Sequence, residues 1–96
     1  MKIVHIKERA GVFAENKDIA SSIREEVVLP TLRNNQEVAF DFNGVEGATQ
    51  SFVHAMISQA IREYGPEVLG HLIFKNCNDS IKGIIEIVAD YMQASE

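Results

Sequence analysis

The spacing of apolar residues switches along this chain between the period of a strand and the period of a helix, and it does so repeatedly. That alternation is the strongest constraint on the fold, because a two-residue period and a 3.6-residue period bury different faces and cannot be exchanged. Ile3, Val4 and Ile6 within Lys2 to Lys7 predict a first strand, and Ala10-Gly11 offers a turn into Val12-Phe13, giving a small hairpin. Ile19, Ala20, Ile23 and Val27 then recur at helical spacing from about Lys17 to Leu29, with Asn16 as the cap. Pro30 lacks a donor, so the helix is expected to end or kink near Leu29. Glu37 to Phe42, with Val38, Phe40 and Phe42 around a small Ala39, reads as a central strand covered on both faces.

The firmest helix follows, with Phe52, Val53, Met56, Ile57, Ala60, Ile61 and Tyr64 on one stripe, stopped by Gly65-Pro66. Val68 to Phe74 predicts another strand. Asn78 or Asp79 caps a last helix whose inner face is Ile81, Ile84, Ile85, Val88 and Met92, with Lys82, Glu86 and Asp90 outside. The expected architecture is therefore α/β: one domain over residues 1–96, with about four strands in a mostly parallel, otherwise mixed sheet and three helices.

Size and charge narrow what such a chain does. Ninety-six residues suffice for one core without metal or disulfide staples but leave no room for a separate cofactor lobe. Nine Lys+Arg against 14 Asp+Glu give a net charge of -5, with the basic residues dispersed, which disfavours direct binding to nucleic acid. The lone Cys77 fits a reducing compartment, the charged start is unlike a signal peptide, and no apolar run reaches the length of a membrane span. A cytoplasmic protein without membrane contact is expected. His5, His54, His71 and Cys77 lie on separate segments without metal-ligand spacing, so neither a metal nor any other cofactor is expected. A Cys77–His71 nucleophile pair lacks an orienting third group, Asp41 and Glu46 read as strand-end carboxylates that bond nearby backbone N–H groups rather than as an acid/base pair, and no enzyme activity is expected.

Polar residues instead crowd one segment. Asp41, Asn43, Gly44, Glu46, Gly47, Thr49, Gln50 and Ser51 precede the strong helix, and His54 sits in its first turns. In open α/β sheets ligands gather where strands end and helices begin. Ser51 stands at a helix amino terminus, where a phosphate is tolerated electrostatically and would confront any docked partner with a charge of about -1.5 to -2. The commoner use of such hydroxyls is capping, by Thr49 or Ser51. Gly44 and Gly47 form no phosphate loop, since no Gly-Lys-Ser/Thr follows.

The run DFNGVEGATQSF, Asp41 to Phe52, together with the helix and strand before it, resembles the STAS-like domain family of unknown function, relatives of the STAS domains of anti-sigma factor antagonists. The likeness extends from about Gly11 to Met92. It implies a STAS-like fold and places Ser51 on the hydroxyl that is phosphorylated in the antagonists. Thr49, Gln50 and Phe52 stand where those antagonists carry aspartate, the first serine and glycine, while Ser51-Phe52 agrees with the STAS-like subfamily. The resemblance further implies a regulatory interaction module of a partner-switching kind, binding a histidine-kinase-type ATPase or anti-sigma factor and released by phosphorylation. An alternative is a small-ligand or nucleotide sensor that holds an anion at the helix start near Ser51. The oligomeric state is left open.

Overall fold

In the computed structural model, which describes residues 1–94, three short strands form one parallel sheet. They are β1 (Lys2–His5), β3 (Val38–Asp41) and β5 (Leu72–Lys75), ordered β1-β3-β5. A second parallel pair joins β2 (Phe13–Ala14) to β4 (Gly47–Ala48). The helices are α1 (Ile6–Ala10), α2 (Lys17–Ile23), α3 (Leu29–Arg33), α4 (Gln50–Tyr64) and α5 (Asp79–Ala94). The α/β class stands, and two details change. Among the described residues the strands number five, in two sheets, and every pairing is parallel, with five α-helices rather than three.

The expected hairpin does not form. Ile6 is fully buried and starts α1 directly after β1, so the chain turns away from the sheet edge before Gly11. Phe13-Ala14 then finds its partner 34 residues later, Phe13 opposite Gly47 and Ala14 opposite Ala48. The helix beginning at Lys17, capped by Asn16 through the Asp18 and Ile19 amides (2.9 and 3.2 Å), runs past Pro30 to Arg33. It does so through a π-helical turn at Arg24–Val28, in which the Leu29 amide reaches back five residues to the Arg24 carbonyl. A proline ring in a regular helix strikes the carbonyl four residues back, and the wider turn immediately before Pro30 makes room for it. Val68 belongs to a 3-10 turn, Pro66–His71, so the third strand of the sheet is shorter than its apolar run suggests.

Register explains the core. Val4, Phe40 and Phe74 lie abreast on one face of the sheet, with the Phe40 and Phe74 rings stacked 5.2 Å apart. Val38 and Leu72 share that face, and with Phe42, Phe52, Met56, Ile57 and Ile81 they build the buried cluster beneath the helices. Ile3, Ala39 and Ile73 point to the opposite face, outside that cluster, and Ile3 is 43% exposed. Ala39 is buried all the same, shielded between two isoleucine neighbours in register. On the helical side α4 packs against both α2 and α5. No helix among the described residues is long and apolar enough to cross a membrane.

Candidate functional site

The polar segment from Asp41 to His54 resolves into three parts with different work to do. At the end of β3, Asp41 organises the carboxyl edge of the sheet. Its Oδ1 accepts hydrogen bonds from the Asn43 amide and from Asn76 Nδ2, both at 2.9 Å, and its Oδ2 lies 3.5 Å from Nδ1 of His5 on the neighbouring strand. The Asn76 side chain, the Asn43 amide and, to a smaller extent, the nearby His5 and Lys75 charges favour the ionised carboxylate and lower its pKa. A carboxylate so engaged holds three strand ends together. The next residues make a tight turn in which the Val45 amide donates to the Phe42 carbonyl (2.9 Å). Gly44 occupies the position of positive φ, +81°, and the Lys7 stem lies where a Cβ would stand.

The middle part is scaffolding. The Glu46 amide donates to the Val12 carbonyl (2.8 Å), the Thr49 amide donates to that of Ala14 (3.0 Å), and the Glu46 carbonyl accepts from Asn78 Nδ2 (2.9 Å). Gly47 is covered by the Phe13 ring, 3.1 Å from the position a Cβ would take. Asn78 also caps α5, its Oδ1 accepting from the Ile81 amide at 2.9 Å. One asparagine thus ties the loop to the start of the last helix.

The third part opens onto a cavity. Thr49, not Ser51, caps α4, its hydroxyl accepting from the Phe52 amide at 3.0 Å. Ser51 is left exposed in the first turn, and with Gln50 and His54 it lines a groove of about 580 Å³ between α2, α4 and α5. Lys17, Asp18 and Ser21 form the α2 wall, Ala55 lies on α4, and Ile87, Val88 and Tyr91 come from α5. Tyr91 is 64% exposed and Ile87 50%. The His54 and Tyr91 rings meet edge-on at 6.4 Å. Partial burial, and secondarily the Arg62 charge, push the His54 imidazole below its ordinary pKa, so at neutral pH the groove presents it uncharged.

Of the residues singled out from sequence, Gln50, Ser51 and His54 therefore share one cavity. Asp41, Asn43 and Gly44 sit together at the sheet edge, and Glu46, Gly47 and Thr49 connect the two regions. The α5 wall is what sequence reasoning missed. Its signal was present, since Ile87 and Tyr91 are large apolar residues off the inner stripe of that helix. His71 and Cys77 are not a pair: they bracket β5 at opposite ends, a separation of four strand residues. Burial raises the Cys77 pKa, the opposite of what activates a thiolate.

A family model matches residues 20–82, two-thirds of the chain, and it describes the STAS-like domain of unknown function (DUF4325). The chain belongs to that family. The match takes in Ser21 and the α4 side of the groove, while Lys17, Asp18 and the exposed α5 residues of the STAS-like domain lie outside it. No curated protein and no solved structure matches the chain.

Proposed function

We propose that this STAS-like domain is a non-enzymatic regulatory module that binds a protein partner through the groove between α2, α4 and α5, with Ser51 as its switch. The observation that carries this reading is the position of Ser51: released from capping by Thr49, exposed, and on the rim of a cavity whose opposite wall bears exposed Ile87 and Tyr91. Apolar side chains left in solvent beside a concave surface are what a docking partner covers. A phosphate on Ser51 sits well with the amino terminus of α4, so the fold accepts it, whereas a partner's apolar contact face would have to desolvate it. By the likeness to anti-sigma factor antagonists, the partner class is a histidine-kinase-type ATPase or an anti-sigma factor, with phosphorylation releasing it.

Pull-down with mass spectrometry tests this reading, using wild type, Ser51→Asp and Tyr91→Ala. A partner held by wild type and lost from both variants is the expected outcome. Equal recovery by all three removes the groove from the function. The second reading, a small-ligand or nucleotide sensor, draws on the groove's volume, which falls within the roughly 300–1,000 Å³ of small-molecule sites. Stabilisation by a nucleotide in a thermal-shift screen, abolished by Ser51→Asp, would favour it.

A further inference from the structure

Ser51 and His54 stand three residues apart on α4, so they share one helical face, with Cβ atoms roughly 5–6 Å apart. Both line the groove. A long side chain on a helix leans back over the turn before its own, which carries the His54 imidazole toward the Ser51 hydroxyl rather than away from it. Among the described residues neither the hydroxyl nor either imidazole nitrogen has a hydrogen-bond partner, and His54 makes a single side-chain interaction, the edge-on contact with Tyr91. A group able to take a proton therefore lies unengaged beside the residue read above as the switch.

We infer that His54 is the internal partner of a phosphate carried by Ser51, so that the modification charges the groove twice, once with the phosphate and once with the imidazolium it creates. The inference rests on Ser51 being the switch and adds how the modified state is held. In the unmodified chain burial, and secondarily Arg62 further along the same helix, keep the imidazole uncharged at neutral pH, and it meets Tyr91 as one aromatic ring meets another. A phosphoserine brings a charge of about -1.5 to -2 within the roughly 4–6 Å at which an opposite charge favours the protonated form. The other charged side chains on the groove are Lys17 and Asp18 of α2, neighbours of opposite sign that offset one another. The α5 wall contributes Ile87, Val88 and Tyr91, without a carboxylate or an ammonium. Arg24 of the π turn, also packed against α4, gives its guanidinium to the Ala55 carbonyl and the Glu25 carboxylate. The pull of the phosphate thus falls on His54. Once protonated, the imidazole becomes a charge-assisted donor to it. A partner's apolar face would then have to desolvate an ion pair where the unmodified groove offers an aromatic ring.

The full chain with phosphoserine installed at position 51 during ribosomal synthesis tests the inference with no partner present. Proton–carbon NMR follows the His54 ring, and phosphorus NMR the phosphate, across a pH series. Phosphorylation is expected to raise the proton affinity of His54 about tenfold, the low end for an opposite charge at that distance because the groove is open to solvent. Reciprocally, the phosphate should take up its second charge at lower pH in the phosphoprotein than in the same protein carrying His54→Gln, a difference that a merely structural histidine would not produce. Circular dichroism confirms that the variant is folded, and the His54 titration is read without any substitution. A His54 titration unmoved by the phosphate overturns the inference. So does a phosphate whose ionisation responds to Lys17→Ala and not to His54→Gln. Either result leaves partner capture by the groove standing, whereas a His54 that responds to the phosphate, with pull-down recovering every partner equally from wild type and Ser51→Asp, overturns the partner reading alone.

Discussion

Asp41 and His54 show how similar polar residues of one segment come to do different things. Asp41 is held ionised by Asn76, Asn43, His5 and Lys75, so its folded pKa lies below the ordinary 3.8. The stability it supplies is present above that value and is lost as pH falls through the lower folded pKa. Asp41→Asn is therefore expected to destabilise at pH 7, with the difference from wild type shrinking as pH drops below about 4. Denaturant titrations at a series of pH values check this. His54 runs in the other direction. Its folded pKa lies below 6.5, so between that value and the folded one the unfolded chain binds the extra proton. Stability should fall as pH drops from about 6.5, and His54→Gln should remove that part of the fall. The same residue pushed upward would lose stability on the alkaline side, so the sign is decisive.

At the scale of elements, the ends of the helices were the most legible features, because capping is local chemistry. Asn16, Thr49 and Asn78 each accept from amides two or three residues on, and each stands where a polar residue precedes an apolar stripe. Thr49→Ala should cost α4 about 1 kcal/mol of stability, while Ser51→Ala should change it by less than about 0.5 kcal/mol. Thermal unfolding of the two variants separates cap from switch. Sequence alone left that choice open, since either hydroxyl is suited to the cap position. The π turn at Arg24–Val28 was invisible in advance. Pro30 signals a break, but whether a helix stops or widens depends on what it packs against, and here Val27, Val28 and Leu29 are all buried. The first hairpin failed for a related reason. Burying Ile6 in α1 outweighed the local turn signal at Ala10-Gly11.

For the whole molecule, the central strand is the most deeply buried of the three-stranded sheet. Phe40 is fully buried, stacked on Phe74 and flanked in register by Val4. Phe40→Ala should cost about 3–5 kcal/mol in chemical denaturation, whereas Phe13, 61% exposed on β2, should cost about 1 kcal/mol or less. The parallel sheet contributes Val4, Val38, Phe40 and Leu72 to the core cluster shared with the helices and leaves Ile3 and Ile73 outside it. The central strand reads as buried on both sides, and Val38, Ala39 and Phe40 are indeed all fully buried.

What the sequence determined by itself was the alternation of helix and strand, the buried stripes, the Asn16 cap with a pair of candidates for each of the other two caps, and the segment where polar chemistry gathers. All of these follow from periods of two or 3.6 residues and from hydrogen bonds within a few positions. The division of that segment was decided by tertiary structure. Asp41 was drawn to His5 and Asn76, Glu46 to Val12 and Asn78, and Ser51 to a cavity whose far wall lies some 40 residues downstream. Contacts of that separation depend on how parallel crossovers bring distant elements side by side, and no local spacing encodes which exposed isoleucine or tyrosine will face a given serine.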